Sequence, residues 1–351
     1  MKIVTILGTR PQFIKAAAIS REIAKHSNLK EVIIDTGQHF DENMSKVFIK
    51  ELTIPQPKYC LNVNNLTHGA MTAKMLEKIE DILIKEKPDL VLVYGDTNST
   101  LAGALAAKKL CIKLAHIEAG LRSFNIEMPE EINRVLTDRI SDFLFCPTEV
   151  AVRNLENEGF RGLKCKIIKS GDVMKDIALF SDEYAKKPGF DIPKRFILAT
   201  VHRAGNTDGT QKIKSIFDAL NKISQEVDVV MPIHPRTRKS LLKNKIKTNF
   251  MLVDPLGYLE MIYLLKKCKL VITDSGGLQK EAFLFKKPSV VLRDKTEWIE
   301  LIEGGFAALA GSETDKILQT YNEVLNKDLN FDINLYGDAK ASEIIVRELL
   351  R

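Results

Sequence analysis

The fold is decided by one continuous stretch, Leu270-Val271-Ile272-Thr273-Asp274-Ser275-Gly276-Gly277-Leu278-Gln279-Lys280-Glu281. It begins as a short apolar strand, turns through small residues and continues as a helix. The N–H groups that follow Ser275 and the positive end of the helix dipole face an anion, and Gly276 and Gly277 let the backbone approach a phosphate closely. Glu281, one turn into the helix, can accept hydrogen bonds from a ribose diol. The stretch predicts a nucleoside diphosphate site; the alternative is an ordinary strand–helix turn without a ligand.

Apolar strands alternate with helical patterns along nearly the whole chain. Strands are predicted at 2–7, 31–35, 89–94, 112–117, 142–146, 166–169, 196–201, 228–233, 250–253, 269–273 and 289–292. Helices are predicted at about 11–26, 41–52, 68–86, 97–109, 130–140, 149–158 and 339–350. This alternation is typical of an α/β protein with parallel, doubly wound sheets. A polar segment at 184–190 suggests two Rossmann-type lobes, and such lobes bind ligands in the cleft between them.

The composition is that of a globular protein. The length of 351 residues suits two domains, and the net charge of 52 − 46 = +6 is a mild excess. A basic run from His234 to Lys247 predicts a solvated helix face, and nothing indicates a nucleic-acid partner. The chain opens on a strand instead of a signal peptide, and no apolar run reaches membrane-spanning length. We expect a cytoplasmic protein without a membrane contact.

The cysteines and histidines argue against structural cross-links. The five cysteines are odd in number and scattered, which is typical of a reduced compartment and excludes a zinc or disulfide framework. Cys111 and Cys146 lie in apolar runs and are predicted to be core residues. The six histidines show no paired spacing, so no metal site is expected.

The first strand–helix turn argues against a redox cofactor. No G-x-G-x-x-G motif opens either half, and the turn at 7–12 carries Arg10, which would crowd a dinucleotide pyrophosphate. A reaction that uses bound NAD is therefore disfavoured. Arg10 and Lys15 can instead direct positive charge into the cleft; the alternative is that both are surface residues.

Three carboxylates follow strand ends in the first half. Asp96 is either a helix N-cap or a catalytic carboxylate. Glu118 ends a buried strand and needs a partner, and Arg122 is the simplest structural one. Glu130 follows Pro129 in a first helical turn, where the helix dipole alone would explain it. Brought to one cleft, the three would raise at least one pKa and supply both an acid and a base.

Basic residues follow strand ends in the second half. The pair His202-Arg203 ends one strand and suits a diphosphate, although His202 can also be a buried core histidine. His234-Pro235-Arg236 ends the next strand, and Arg293 to Trp298 follows the last.

Taken together and in order, these motifs resemble the non-hydrolysing UDP-N-acetylglucosamine 2-epimerase family over essentially the whole chain. They are Gly8–Pro11, Ile14–Lys15, Gly95–Thr97, His116–Arg122, Pro129–Arg134, His202–Arg203, Asp274–Gly277, Glu281 and Tyr336–Asp338. The resemblance implies a GT-B-like fold of two Rossmann-type lobes, with a C-terminal helix that returns to the first lobe. We place the catalytic lobe at 1–170 plus the helix at about 338–351, and the UDP-binding lobe at 171–337.

The resemblance also implies the chemistry. The sugar is inverted at C2 without a cofactor or metal, by elimination of UDP to a 2-acetamidoglucal and its re-addition. The implied catalytic residues are Asp96, Glu118, Glu130 and His202; the implied substrate-binding residues are Arg10, Lys15, Arg134, Ser275, Gly276, Gly277 and Glu281. A homodimer in polysaccharide biosynthesis is expected, with a UDP-sugar as its partner.

Some positions depart from the commonest family pattern. Gln12-Phe13 stands where Glu-Ala is usual, Trp298-Ile299 stands where Arg-Pro is usual, and the loop between Arg122 and Pro129 is shorter. These departures resemble the branch that acts on UDP-2,3-diacetamido-2,3-dideoxy-glucuronic acid, so two substrates stay open. Gln38 and His39 match the family's activator site for a second UDP-sugar, which is only partly kept.

Three other functions stay open as alternatives. A GT-B glycosyltransferase would share the fold and the diphosphate site, but the carboxylates of the first lobe speak against it. A hydrolysing epimerase would release UDP and a free sugar. A non-catalytic UDP-sugar-binding protein would bind UDP without exchanging the C2 hydrogen.

Overall fold

The computed structural model describes residues 1–38 and 51–351. The predicted helix at about 41–52 lies almost entirely outside this part of the chain, as does His39. The described chain divides into two compact units: unit 1 comprises Met1–Leu179 and Asn334–Arg351, and unit 2 comprises Phe180–Ile333. Each unit is an α/β body with its own parallel sheet. Elements are numbered along the described chain.

Unit 1 contains a seven-stranded parallel sheet in the order β3-β2-β1-β4-β5-β6-β7. Its strands are β1 Lys2–Leu7, β2 Lys30–Asp35, β3 Tyr59–Cys60, β4 Leu90–Tyr94, β5 Lys113–Ile117, β6 Phe143–Cys146 and β7 Lys166–Lys169. The strand order reverses between β1 and β4, which is the point where doubly wound sheets bind ligands. Every residue of β4 is buried, as expected of a central strand that is covered on both faces.

Helices connect these strands. They are α1 Arg10–Ile23, α2 His68–Glu86, α3 Asn98–Lys109, α4 Pro129–Ile140, α5 Glu149–Asn157 and α6 Val173–Asp182, with α14 Ala341–Leu349 returning from the far end of the chain. One core of unit 1 is formed where α2 and α3 pack on the sheet, with Met75, Ile79 and Leu83 of α2 buried.

Unit 2 contains a six-stranded parallel sheet in the order β10-β9-β8-β11-β12-β13. Its strands are β8 Phe196–Thr200, β9 Asp228–Pro232, β10 Met251–Val253, β11 Val271–Thr273, β12 Ser289–Val291 and β13 Ala307–Leu309. Its helices are α7 Ala204–Thr207, α8 Thr210–Ile223, α9 Pro235–Lys243, α10 Tyr258–Lys267, α11 Gly276–Leu284, α12 Ile299–Glu303 and α13 Thr314–Leu325. Here too the strand order reverses, between β8 and β11.

The units divide at Leu179/Phe180 and Ile333/Asn334, whereas the sequence placed the divisions at 170/171 and 337/338. The first turns of α6 are tied to the returning chain. Asp172 N–H donates to the Tyr336 carbonyl at 3.1 Å. The Asp176 carboxylate accepts from the N–H groups of Ala341 at 3.2 Å and Ser342 at 2.7 Å. These bonds hold most of α6 in unit 1.

The structure corrects one core residue and supplies two strands. Cys146 is buried as predicted, but Cys111 is exposed, because it lies in the turn that ends α3 with a left-handed φ of 56°. The strands β3 and β13 were not predicted. The charged residues of the basic run at 234–247 are exposed, as predicted.

Candidate active site

Glu118 lies at the carboxyl end of β5 in a left-handed conformation with φ 71°. The N–H groups of Glu118 and Ala119 both donate to the Phe145 carbonyl, at 3.1 and 3.0 Å, which holds this unusual turn. Its carboxylate forms an ion pair with Lys15 Nζ, and both side chains are almost fully buried. The alternative pairing with Arg122 is wrong, and so is the surface alternative for Lys15.

Gly95 leaves the space that this ion pair needs. A Cβ at this position would lie 3.3 Å from Glu118 Oε2 and 3.6 Å from Lys15 Nζ, and the φ of 62° is one that glycine adopts freely. The turn after β4 therefore passes directly beside the Lys15–Glu118 pair. The next residue in this turn is Asp96.

Asp96 is not a helix cap. Thr97 caps α3, with its Oγ1 accepting from Thr100 N–H at 3.3 Å. The Asp96 carboxylate instead forms an ion pair with Arg134 on α4, and Asn133 Nδ2 donates to the Asp96 carbonyl at 2.9 Å. Two neighbouring strand ends thus present two carboxylates, each with a cation of its own.

Glu130 and Glu131 differ sharply in their surroundings. Glu130 is half-buried in the first turn of α4. Glu131 is buried, and its carboxylate accepts from Ser123 N–H and Oγ, both at 2.9 Å, and from Phe124 N–H at 3.0 Å. It also lies 3.2 Å from Arg134 Nη1, so Arg134 joins Glu131 to Asp96. That Glu130 meets the other two carboxylates stays a prediction.

Gln12 links the two turns that flank the strand-order reversal of unit 1. Its side-chain oxygen accepts from Gly8 N–H at 2.8 Å and Thr9 N–H at 3.2 Å. Its Nε2 donates to the Tyr94 carbonyl at 2.7 Å and to Thr100 Oγ1 at 2.9 Å. The amide thereby fixes the turn that bears half-buried Arg10 against the turn that bears Asp96.

A buried polar network lies beneath these turns. His116 Nε2 is 2.7 Å from the Gly95 carbonyl, and His116 Nδ1 is 2.7 Å from Asp138 Oδ1. Asp138 Oδ2 accepts from Gly120 N–H at 3.1 Å and from Arg122 Nη1 at 2.7 Å. Arg122 also forms a bidentate pair with Glu158, with both bonds at 2.7 Å.

In unit 2, Asp274 organises the carboxyl ends of β8 and β11. Its fully buried carboxylate accepts from the N–H groups of His202 at 3.0 Å and Arg203 at 2.9 Å, and from Asn206 Nδ2 at 3.1 Å. His202 Nδ1 lies 3.3 Å from the same carboxylate. The His202 side chain is 39% exposed, so it is not a core histidine.

The first turn of α11 has the geometry expected of an anion site. Ser275 caps the helix, its Oγ accepting from Leu278 N–H at 3.4 Å. A Cβ on Gly276 would contact Glu297 Oε1 and require that side chain to move, whereas nothing lies within 4 Å of a Cβ on Gly277. The open side at Gly277 leaves the helix N-terminus accessible. Glu281 is buried one turn further along.

The segment after β12 encloses this turn. Arg293 Nη2 pairs with Glu297 Oε2 at 2.8 Å. Lys280 is buried, and its Nζ lies 4.0 Å from the centroid of the Trp298 ring, a cation–π contact. Trp298, which departs from the commoner family pattern, therefore packs against α11 through its contact with Lys280.

From the sequence, no positioning role was predicted for four residues that hold the others in place: Gln12, Glu131, Asp138 and Asp274. All four are buried polar side chains. Gln12, Asp138 and Asp274 each bond to residues that are distant in the sequence, whereas Glu131 bonds to the nearby Ser123 and Phe124. A buried polar group must be satisfied, so each marks a contact that only the fold can supply. Within 1–38 and 51–351, no group of three or more histidine, cysteine or acidic side chains could hold a metal ion.

Two parallel doubly wound sheets, with ion-paired carboxylates in unit 1 and an open helix N-terminus in unit 2, are the architecture of an α/β nucleotide-sugar enzyme of the GT-B-like class. The chain belongs to the UDP-N-acetylglucosamine 2-epimerase family, whose model matches residues 21–350. The family and fold predicted from the sequence motifs are thereby confirmed. No helix within the described residues is long and apolar enough to cross a membrane.

Several relatives match over the whole chain. The UDP-2,3-diacetamido-2,3-dideoxy-D-glucuronate 2-epimerase of Pseudomonas aeruginosa is 54% identical, with 100% of both chains covered. The crystal structure of Methanocaldococcus jannaschii UDP-GlcNAc 2-epimerase in complex with UDP-GlcNAc and UDP matches at 44% identity and TM-score 0.94, covering 100% of this chain and 99% of the other. The Neisseria meningitidis enzyme bound to UDP-GlcNAc matches at 35% identity and TM-score 0.89, with both chains covered completely.

Proposed function

We propose that this protein is a non-hydrolysing 2-epimerase of UDP-2-acetamido sugars and that its preferred substrate is UDP-2,3-diacetamido-2,3-dideoxy-glucuronic acid. The observation that carries the activity is the pair of carboxylates at adjacent strand ends, Glu118 with Lys15 and Asp96 with Arg134. Inversion needs proton removal on one face of the sugar and proton return on the other. The 54% identity to a relative of that name and the departures at Gln12 and Trp298 support the choice of substrate.

The chemistry follows from the weak acidity of the C2–H bond, which no carbonyl neighbours. Removal of this proton is coupled to cleavage of the C1–O bond, whose electron pair leaves with UDP. A C1=C2 double bond forms in the 2-acetamidoglucal. Protonation at C2 from the opposite face and re-addition of UDP oxygen at C1 then give the epimer. No oxidant, cofactor or metal is needed for the balance.

The two units divide the work. In unit 1, Asp96, Glu118 and Glu130 share proton removal and return, and Lys15 and Arg134 orient the carboxylates of Glu118 and Asp96. In unit 2, the α11 N-terminus at 275–277 and His202 bind the diphosphate as negative charge develops on it. Glu281 binds the ribose in unit 2, and Arg10 is the phosphate-binding cation that unit 1 contributes.

We also propose a cytoplasmic homodimer that supplies polysaccharide synthesis. The support is the family membership, together with the reduced state of the five scattered cysteines. The oligomeric state is tested by sedimentation in the presence and absence of UDP. A monomer under both conditions would remove this part of the proposal.

The test of the activity is NMR in D₂O with each of the two UDP-sugars. We expect both epimers to appear with deuterium at C2, with no NAD added, and a larger kcat/KM for the diacetamido uronate. A glycosyltransferase would leave the sugar unchanged without an acceptor, a hydrolysing enzyme would release free sugar and UDP, and a binding protein would exchange no hydrogen.

A second label distinguishes elimination from oxidation. An ¹⁸O atom in the bridging position of the C1–O bond should scramble into the non-bridging oxygens of the β-phosphate, because that bond breaks and the phosphate rotates before re-addition. A route through a 3-keto sugar leaves the bond intact. Deuterium uptake without scrambling would overturn the elimination mechanism and the roles given to Arg10, His202 and Ser275.

A further inference from the structure

A fully buried histidine lies between the two turns that bear the candidate catalytic carboxylates. The His116 side chain is 0% exposed, and each ring nitrogen is 2.7 Å from an oxygen: Nε2 from the Gly95 carbonyl and Nδ1 from Asp138 Oδ1. Gly95 directly precedes Asp96. His116 itself lies two positions before Glu118, on the strand that Glu118 ends.

Both of these oxygens are acceptors. A carbonyl oxygen cannot donate a hydrogen bond. The other Asp138 oxygen accepts from Arg122 Nη1 at 2.7 Å and from Gly120 N–H at 3.1 Å, and these two donors favour the ionised carboxylate independently of the ring. Burial acts to raise the pKa of Asp138, yet the cations beside it outweigh the burial and lower that pKa from its ordinary value of 3.8. A neutral imidazole would direct a bare nitrogen at one of these oxygens across 2.7 Å, which is repulsive.

Resting on the proposed function, we infer that His116 is a positioning residue, held as an imidazolium, that fixes the turns of Asp96 and Glu118 relative to each other. Its Nε2–H holds the turn at Gly95. Through Nδ1–H it holds Asp138, whose other oxygen accepts from Gly120 N–H at 3.1 Å. One His–Asp unit thus connects the residue before Asp96 to the residue two positions after Glu118.

The local conformation explains why such a device is needed. Gly95, Glu118 and Gly120 all have positive φ, and Glu118 is the one without glycine's freedom. A left-handed glutamate persists only where its surroundings impose it. Bonds from Glu118 and Ala119 to the Phe145 carbonyl, and from Gly120 to Asp138, supply this constraint on both sides of the carboxylate.

The charges around the ring are balanced. Asp138 faces it from α4, and Arg122 faces Asp138 and is itself paired with Glu158 at the end of α5. From β6 comes the Cys146 thiol, whose pKa burial raises well above its ordinary value, so it adds no charge. The unit therefore holds two cations against two anions, with every bond charge-assisted.

Two measurements test the inference. In ¹⁵N-resolved NMR of the parent protein, the His116 ring should show both nitrogens protonated across the pH range in which the enzyme is active. Asp138→Asn keeps the size and removes the counter-charge, so the ring should lose its second proton within that range. We then expect kcat to fall ~10²-fold as pH rises, with KM and the UDP affinity close to those of the parent.

The matched control is Asp142→Asn. Asp142 pairs with Lys108 at the amino end of the same strands, with a distance of 2.9 Å, far from the turns in question. Its pH profile should follow the parent. If Asp138→Asn does not fold, His116→Gln supplies the kcat comparison, because a glutamine can donate to one of the two acceptors and must present its oxygen to the other.

The outcomes separate the claims. A His116 ring with one bare nitrogen in the parent overturns the inference. So does a doubly protonated ring combined with an unchanged kcat–pH profile in Asp138→Asn, since the residue would then be structural. If the parent inverts neither UDP-sugar, the proposed function fails, while the protonation of the ring is decided independently by NMR.

Discussion

At the scale of single residues, Asp96 and Glu118 differ from ordinary surface acids because each is held by a cation at a strand end. Asp96→Asn and Glu118→Gln preserve size but cannot exchange the proton that inversion requires. We expect turnover to fall by ~10²–10⁴-fold, the usual contribution of a general acid or base, with UDP affinity little changed. Steady-state kinetics and UDP calorimetry on the same preparations provide the check. Near-normal turnover in either variant would show that the substituted carboxylate is not a general acid or base.

Substitution of the two neighbouring glutamates of α4 should affect different properties, stability for Glu131 and turnover for Glu130. Glu131→Gln removes a buried charge that accepts three hydrogen bonds and faces Arg134, so it should lower the free energy of unfolding by about 1.5–3 kcal/mol. Glu130→Gln, on a half-buried side chain, should leave stability alone and lower turnover. Urea unfolding and kinetics on both variants decide; equal stability losses would make Glu130 a structural residue.

Glu281 is expected to act on nucleotide affinity alone. It lies one turn after Gly277 on α11, buried beside the proposed ribose position. Loss of its charged hydrogen bonds in Glu281→Ala should weaken UDP binding by about 1.5–3 kcal/mol. Calorimetry should show this loss beside an unchanged Glu323→Ala control on α13. Parent-like UDP affinity in Glu281→Ala would remove this residue from the site.

At the scale of elements, α14 is attached to unit 1 by a cap from another helix. Asp176 on α6 accepts from Ala341 N–H and from Ser342 N–H and Oγ, which are among the first donors of α14. Asp176→Ala leaves these donors unsatisfied at a cost of about 1–3 kcal/mol. In Asp176→Ala, amide hydrogen exchange should be faster than in the parent protein across 341–349 and unchanged in α8 of unit 2. If the exchange rates in 341–349 are the same in Asp176→Ala and the parent, packing on α1 alone holds the helix.

Elements were easier to predict from the sequence than their contacts. Apolar runs such as Leu90–Tyr94 and amphipathic stretches such as His68–Glu86 depend on local periodicity, and the structure places them where the sequence did. The strand at Tyr59–Cys60 has no such period, because β3 exists only through its pairing with β2.

In the candidate site, too, positions along the chain were easier to predict than contacts between side chains. The positions of Asp96 and Glu118 after neighbouring strands could be predicted, because the carboxyl ends of parallel strands meet at one edge of a sheet. The position of His202 after a strand of the other sheet could be predicted in the same way. Their partners could not. The contact of Lys15 with Glu118, and that of Asp138 with His116, depends on side-chain directions that no spacing in the sequence encodes.

At the scale of the whole molecule, we expect Glu86 to contribute to the loss of folding stability at acid pH. Hydrogen bonds from Lys58, Tyr59 and Lys2 lower the pKa of this carboxyl from 4.5 to about 2. A depressed folded-state pKa gives stability that is present above pH 4.5 and is lost as pH falls towards 2. Glu86→Gln should therefore be less stable than the parent at neutral pH, by an amount that shrinks with acidification.

The measurement is urea unfolding of both proteins across that pH range. The loss should lie near the lower end of about 1.5–3 kcal/mol, because Lys58 is largely exposed and solvent screens its charge. A gap between parent and variant that stays constant at every pH would contradict the assignment of the lowered pKa to Glu86.

The discontinuity of unit 1 sets an order of events on the ribosome. Residues 180–333 form a closed unit and can fold as soon as they emerge. Unit 1 begins first but cannot be completed until the end, because α14, which packs against α1, is translated after all of unit 2. During that interval the buried face of α1 lacks its cover. The nascent chain therefore carries, on α1, a surface that is covered only after the last helix of unit 1 has been translated.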